Sequence, residues 1–179
     1  MAKAMKLISL FSTFIFVIFV VVYRSTANDV AFTLAITFGT IAYHFIMRLL
    51  VGFVINLCLC NHVDYRAKWF RVSEAEQKIY KKLGVKKWKR RMPSYDPSSF
   101  DNTVHSWDEI AQAMCQAELV HELIIVLSFV PILASISFGA LGVFVVTSIL
   151  AAGFDAMFVI MQRYNRPRIV DIIRRGERI

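Results

Sequence analysis

The chain has 179 residues, of which 57% are hydrophobic and 19% are charged, and its formal net charge is +8. A soluble domain of this length is not usually so apolar. The apolar residues form four runs near the length of about 20 residues that a helix needs to cross the hydrocarbon. These runs cover residues 5–23, 30–59, 118–138 and 140–162. We therefore predict an all-α polytopic membrane protein, with four transmembrane helices in one domain, residues 1–179.

The first run resembles a secretory signal, because Lys3 and Lys6 precede it and the small residues 25–27 follow it. Its apolar core is longer than the roughly 7–15 residues of a signal peptide. We therefore expect a retained transmembrane helix.

Lysine and arginine are distributed unevenly around the four runs. Two lysines precede the first run, one arginine separates the first two runs, and eleven basic residues lie between the second and third. None separates the third run from the fourth, and six arginines follow from Arg163 onward. Because basic residues concentrate on the cytoplasmic side, both termini and the interfacial segment 61–116 are predicted to be cytoplasmic, in the cell membrane. The positive charge then faces anionic lipid headgroups, and no nucleic-acid partner is needed to explain it.

The second and fourth predicted spans contain ionisable side chains well away from their ends. His44 and Arg48 are four residues apart in the second run, and Asp155 lies in the fourth. A charge near the bilayer centre costs about 2.5–3.5 kcal/mol on insertion scales, so these groups are expected to face the bundle interior. We predict that Arg48 pairs with Asp155; a pair that serves packing alone is the alternative.

The interfacial segment contains two capping boxes, Ser73 with Glu76 and Ser106 with Glu109. The first predicts a helix of about ten residues that ends near Gly84. The second predicts a helix that runs on into the third span.

Residues 85–93 interleave cations with apolar side chains, which suits contact with lipid headgroups. Residues 93–102 read as a loop from their Pro, Ser, Asp and Asn content. Pro131 is expected to kink the third span.

Glu118 and His121 are three residues apart and therefore share a helix face. A carboxylate beside an imidazole orients the ring, which is the arrangement that a general base needs. We predict that His121 is catalytic and that Glu118 orients it, with Glu122 as the alternative orienting residue. A structural pair is a further alternative. No metal is predicted, because a di-metal bundle needs a second Glu-x-x-His pair and two more carboxylates.

A dense polar cluster ends the fourth run. Its members are Gln162, Arg163, Tyr164, Asn165, Arg166 and Arg168. A guanidinium in this position can bind a phosphate or carboxylate through two parallel hydrogen bonds. Pro167 disfavours helix at the residue before it and predicts a turn or kink. The alternative is that these arginines only anchor the topology.

Four strings carry a family resemblance. They are K-W-K at 87–89, A-E-L-V-H at 117–121, Q-R-Y-N-R-P-R at 162–168 and R-G-E-R at 175–178. In this order they resemble the glycosyl-diaponeurosporenoate acyltransferases, the membrane enzymes that finish staphyloxanthin-type carotenoid glycolipids. Glu122 stands where that family has an aromatic residue, which leaves the acceptor open.

The resemblance implies transfer of a fatty acyl group from a thioester donor, on coenzyme A or an acyl carrier, to a hydroxyl of a glycosylated carotenoid or related membrane glycolipid. No bound cofactor is implied. On this hypothesis His121 takes the hydroxyl proton. The residues expected to bind substrates are His44, Arg48, Asp155, Gln162, Arg163, Tyr164, Asn165, Arg166 and Arg168. Among them, Arg163, Arg166 or Arg168 would hold donor phosphates at the cytoplasmic face, and Asn165 or Tyr164 would donate to the developing oxyanion.

Two other functions fit the same pattern. One is a non-catalytic lipid-binding or accessory membrane protein that uses its basic surface to hold anionic headgroups. The other is an enzyme of the same architecture that acts on phospholipids or polyprenyl phosphates. Convergence of Glu118, His121 and the arginines would favour an enzyme, and their dispersal over separate surfaces would favour a lipid-binding protein.

Overall fold

The structure, a computed structural model, describes residues 2–93 and 97–176. Residues 94–96 of the predicted loop and residues 177–178 of the R-G-E-R string lie outside the described residues. Within these ranges the chain is helical and has no strand. The helices are α1 (Ala2–Thr26), α2 (Asp29–Leu59), α3 (Glu74–Lys82), α4 (Val85–Trp88), α5 (Trp107–Leu127), α6 (Pro131–Phe138) and α7 (Leu141–Gly176).

Four helical stretches in the described part of the chain are long and apolar enough to cross a membrane. They are Lys3–Thr26, Asp29–Leu59, Trp107–Phe138 and Leu141–Gly176. The predicted all-α fold with four candidate spans is therefore confirmed. The chain divides into two compact units: one contains residues up to Gly52 with Ile124–Gly153, and the other contains Phe53–Leu123 with Phe154 onward. That residues 1–179 form a single domain stays a prediction.

The first unit begins with the α1–α2 hairpin. Asn28 caps α2, since its Oδ1 accepts hydrogen bonds from the backbone N–H of Val30 at 2.8 Å and of Ala31 at 3.2 Å. Gly39 of α2 lies against the ring of Phe16, and a Cβ at this position would be 2.9 Å from the ring. A glycine is therefore what allows α1 to approach α2 this closely.

The third span is interrupted before Pro131, as the sequence predicted for this proline. In a regular helix residue 131 would donate to the carbonyl of Leu127, but proline has no N–H. The Leu127 carbonyl instead accepts from the backbone N–H of Val130 at 3.1 Å and from the Tyr43 hydroxyl at 2.8 Å. The Leu127 carbonyl, which lacks its regular helical donor at this break, is thus hydrogen-bonded inside the first unit by a side chain of α2.

In the second unit the two predicted capping boxes are present. Ser73 accepts from the backbone N–H of Glu76 at 3.2 Å, and the Glu76 carboxylate accepts from the Ser73 N–H at 2.9 Å. Ser106 and Glu109 make the same reciprocal pair at the start of α5. Gly84 has the left-handed conformation, with φ +66°, that separates α3 from α4. These features depend on neighbouring residues only, which is why the sequence predicts them well.

α7 continues through Pro167 to Gly176, so the predicted turn is not formed, and the alternative, a kink at this proline, stays a prediction. A proline inside a helix costs about 3 kcal/mol, partly through the carbonyl four residues earlier that loses its donor. That carbonyl belongs to Arg163, and it accepts from Nε2 of Gln77 at 3.3 Å. Packing against α3 therefore repairs the helix at this point.

Candidate functional site

Glu118 is fully buried in the second unit and holds two arginines of α7. Its Oε1 accepts from Nη1 of Arg163 at 2.6 Å, and its Oε2 accepts from Nη1 of Arg166. Arg166 is itself 1% exposed. We call Glu118, Arg163 and Arg166 the carboxylate clamp. Removing one partner of such a buried ion pair costs about 3–5 kcal/mol, because the remaining charge stays buried without compensation.

The carboxylate clamp also holds the start of the interfacial segment. Arg163 donates to Oε1 of Glu76 from Nε at 3.1 Å and from Nη2 at 2.9 Å. Arg166 donates from Nη2 to the carbonyl of Phe70 at 2.6 Å, and its guanidinium lies over the Phe70 ring. Three parts of the chain, namely α5, α7 and residues 69–76, are joined at one buried carboxylate.

His121 is oriented by a residue other than the one predicted. Its Nδ1 lies 2.8 Å from Oδ1 of Asp155, and its ring stacks on Phe158 with the centroids 4.4 Å apart and the planes at 5°. Asp155 is 1% exposed, whereas the His121 side chain is 21% exposed. The prediction that Glu118 orients His121 is wrong, because both Glu118 oxygens are bonded to arginines.

The pairing with Asp155 sets the chemistry of His121. An ionised carboxylate at Nδ1 holds the proton on that nitrogen, so Nε2 presents its lone pair. An imidazole held in this tautomer by a buried carboxylate can accept a proton from a hydroxyl. Glu122, the alternative orienting residue, is used elsewhere, since its Oε2 accepts from Nε1 of Trp69 at 3.0 Å.

The rest of the polar cluster packs against the interfacial segment. Tyr164 is 3% exposed and forms a hydrophobic cluster with Tyr80 and Val85. Its hydroxyl accepts from Nη2 of Arg168 at 3.0 Å. Asn165 accepts from Nζ of Lys89, the last residue of the K-W-K string. Gln162 is also buried.

These positions do not suit the predicted oxyanion roles. Tyr164 and Asn165 follow Asp155 by nine and ten residues in α7. At a rise of 1.5 Å per residue they lie about 14 Å further along the helix than the carboxylate that holds His121. They act here as packing residues that attach α3 and α4 to α7.

A cleft of about 770 Å³ lies beside the carboxylate clamp, between residues 65–72 and the last turns of α7. It is lined by Tyr65, Arg66, Phe70, Arg71, Val72, Arg166, Pro167, Val170, Asp171, Ile173 and Arg174. Four arginines and one aspartate make its lining strongly cationic. The sequence prediction missed Arg66, Arg71 and Arg174, because the cleft combines two segments a hundred residues apart and neither has a recognisable motif.

Charge and burial shift the pKa values of Glu76 and Lys89 in this region. Burial raises the pKa of Glu76, but hydrogen bonds from the Ser73 N–H and from Arg163 and Tyr80 outweigh it, so the pKa lies below its ordinary value. Burial lowers the pKa of Lys89, and repulsion from Arg168 and other nearby cations lowers it further. The cations around Lys89, namely Arg168, Arg90 and Lys86, give an excess of positive charge at this point, which favours an anion.

The other two predicted site residues belong to the first unit. His44 is buried, and Arg48 donates from Nη1 to the His44 carbonyl at 3.0 Å and from Nη2 to the Ala151 carbonyl at 3.3 Å. The Arg48–Asp155 pair stays a prediction. Within the described ranges, no three His, Cys, Asp or Glu side chains come together in a way that could hold a metal ion.

Comparison with known proteins gives one match. The family model described as glycosyl-4,4'-diaponeurosporenoate acyltransferase (CrtO) matches residues 66–175. That range begins at Arg66 in the cleft and includes the carboxylate clamp, His121 and Asp155. No curated protein and no solved structure matches the chain.

Proposed function

The chain belongs to the glycosyl-4,4'-diaponeurosporenoate acyltransferase family, and from this premise we propose the reaction that it performs. Membership confirms the resemblance carried by residues 162–168 and makes the chain a membrane acyltransferase. The proposed reaction moves a fatty acyl group from a thioester donor to a sugar hydroxyl of a glycosylated carotenoid or related membrane glycolipid. The observation that carries the proposal is the His121–Asp155 pair, with its 2.8 Å contact.

His121 acts as the general base. Its Nε2 takes the proton of the acceptor hydroxyl while the oxygen attacks the thioester carbonyl and forms a tetrahedral intermediate. When this intermediate collapses, the carbon–sulfur bond breaks and the proton passes from Nε2 to the leaving thiolate. Asp155 holds Nδ1 throughout and stabilises the imidazolium that forms between the two steps. The products are the ester and the free thiol.

The carboxylate clamp supports this site indirectly. Glu118 is a positioning residue, because both of its oxygens are bonded to arginines. It fixes residues 69–76 beside α5, one helical turn from His121. Trp69, whose indole N–H is bonded to Glu122, is held in the same place. We propose that this part of the interfacial segment covers the reacting groups and excludes water.

The test is the lipid content of cells with and without the protein. Membrane lipids are extracted and examined by mass spectrometry from cells that supply the glycosylated carotenoid and express either the wild type or His121→Ala. We expect the mass of one fatty acyl ester to appear on the glycolipid only with the wild type. Equal acylation with His121→Ala would remove the histidine from the mechanism. No acylated lipid with the wild type would favour the non-catalytic lipid-binding alternative.

A further inference from the structure

The cationic cleft has two arginines that are not committed to other residues. Arg163 and Arg166, which are predicted from the sequence to bind phosphates, are bonded to Glu118, Glu76 and backbone carbonyls. Arg71 and Arg174 are exposed in the cleft instead. Across the ranges that the structure describes, neither side chain makes a hydrogen bond or an ion pair. Two such guanidinium groups, one from each of the two segments that line the cleft, can bind phosphate oxygens.

The cleft also offers apolar and aromatic surface beside these charges. Phe70 is 6% exposed and lies under the guanidinium of Arg166, 5.1 Å from its ring centroid. Val72, Pro167 and Val170 complete a wall that suits the flat or aliphatic parts of a ligand. Asp171 is the one acidic group among the lining residues, so the balance of charge favours an anion.

The spacing along α7 sets how long a ligand in this cleft must be to reach the His121–Asp155 pair. Asp155, which holds His121, precedes Arg166 by eleven residues and Arg174 by nineteen. At 1.5 Å per residue, the arginines lie about 16–28 Å further along the helix axis than Asp155. A phosphate held in the cleft can therefore belong to a molecule that reacts at His121 only if a long flexible arm separates the phosphate from the reacting carbonyl.

We propose that the cleft is the anchoring site for the phosphate end of the thioester donor, so that the donor is of the coenzyme A type, with phosphates at one end of an extended arm and the acyl thioester at the other. This rests on the proposed acyl transfer. Arg71 and Arg174 bind the phosphate oxygens, and Phe70 and its neighbours contact the rest of the anchored end. The arm runs along α7 toward His121, where the thioester carbonyl meets the acceptor hydroxyl.

Binding of free coenzyme A tests the cleft without requiring turnover. The full chain, purified in nanodiscs of phosphatidylcholine, is titrated with radiolabelled coenzyme A by equilibrium dialysis. We expect the Kd to rise about tenfold or more in Arg71→Ala/Arg174→Ala, because two charge-assisted contacts are lost. Asp171→Asn should lower the Kd, since it removes a repulsive charge. Arg24→Ala, which deletes an exposed arginine of the other unit, is the matched control and should bind as the wild type does.

An anionic lipid headgroup also presents a phosphate to the cleft. A second experiment therefore distinguishes coenzyme A from lipid as the source of the bound phosphate. The titration is repeated in nanodiscs that contain phosphatidylglycerol. If the cleft holds the donor, the wild type binds coenzyme A in phosphatidylcholine and the double variant loses most of that binding. If coenzyme A does not bind, or binds the double variant equally well, the assignment is overturned. Binding of phosphatidylglycerol that depends on Arg71 and Arg174, without binding of coenzyme A, would assign the cleft to lipid.

A phosphate-free donor distinguishes failure of the cleft from failure of acyl transfer. S-palmitoyl-N-acetylcysteamine carries the same acyl thioester without phosphates. We expect the wild type to prefer palmitoyl-coenzyme A over this donor in kcat/KM, and the double variant to lose most of that preference. Transfer from both donors with no preference would contradict the assignment of the cleft to the donor and would still support acyl transfer. Binding of coenzyme A that depends on Arg71 and Arg174, without transfer from either donor, would support the cleft as a binding site and contradict acyl transfer.

Discussion

At the scale of single residues, the site is decided by which carboxylate holds which cation. The sequence correctly places Glu118 and His121 on one face of a helix, because a spacing of three residues fixes that. It does not say that Glu118 binds Arg163 and Arg166 while Asp155 holds His121. Those partners lie 34 to 48 residues away in the chain. A helical period carries no information on such distant pairs, which is why the orienting residue was assigned wrongly.

Asp155→Asn should lower kcat by about a hundredfold or more with little change in KM, because the amide no longer fixes the Nδ1 proton or stabilises the imidazolium. Steady-state kinetics of the purified protein measure both constants. Glu74→Gln is the control, since it changes an exposed carboxylate of α3. A loss confined to KM in Asp155→Asn would contradict its role in orienting the base.

Glu118→Gln should destabilise the fold by about 3–5 kcal/mol, because the buried Arg166 would keep its charge with no carboxylate beside it. Thermal unfolding in detergent gives the measurement. Glu74→Gln, which changes an exposed carboxylate of α3, is the control and should unfold close to the wild-type temperature. A Tm for Glu118→Gln equal to that of the control would show that the carboxylate clamp contributes little to stability.

At the scale of helices, the predictions from capping boxes and glycine were reliable, and the prediction of a turn at Pro167 was not. Capping boxes at Ser73 and Ser106 and the left-handed Gly84 depend only on adjacent residues, and each is found where the sequence places it. Pro167 breaks a helix by its own preference, but α3 supplies Gln77 to the carbonyl of Arg163. Tertiary contacts of this kind override the local preference, and they cannot be predicted from the residues that neighbour the proline in sequence.

Gln77→Leu should lower the stability of the protein by about 1 kcal/mol, because the Arg163 carbonyl loses the donor that replaces the missing N–H of Pro167. Restoring that N–H with Pro167→Ala in the same chain should recover the loss. A double-mutant cycle on the free energy of unfolding measures this coupling. Additive effects of the two substitutions would mean that Gln77 does not serve the carbonyl.

Acid should release the start of α3 from α7. The pKa of Glu76 is lowered in the folded state, since its hydrogen bonds outweigh the effect of burial. Its contribution to stability is therefore complete above the ordinary glutamate pKa of about 4.3 and is lost as the pH falls through the lower folded-state value. The protection of the amides of residues 74–82 against hydrogen exchange, measured relative to the intrinsic rate at each pH, should fall in that range. In Glu76→Gln the exchange should already be faster at pH 7, with less dependence on acid.

At the scale of the whole molecule, composition alone was enough to identify four spans and an all-α membrane protein. The cleft could not be found in this way, because Arg71 and Arg174 meet only after the chain has folded. The orientation in the membrane stays a prediction from the distribution of lysine and arginine. On that prediction, the cleft and the carboxylate clamp face the cytoplasm.

Thiol labelling tests that orientation. In a variant without its own cysteines, Ala27→Cys in the α1–α2 connection should react with a membrane-impermeant maleimide added outside intact cells. Thr103→Cys in the interfacial segment should react only after the cells are opened. The opposite pattern would place the cleft on the outer face and separate it from cytoplasmic donors.

The central claim is that acyl transfer occurs at His121, and its most direct measurement is a single-turnover reaction of the purified protein with palmitoyl-coenzyme A and the glycosylated carotenoid. We expect the wild type to form the ester and His121→Ala, shown to be folded by a cooperative thermal unfolding transition, to form it about a thousandfold more slowly or not at all. Ester formation by folded His121→Ala at the wild-type rate would contradict the account.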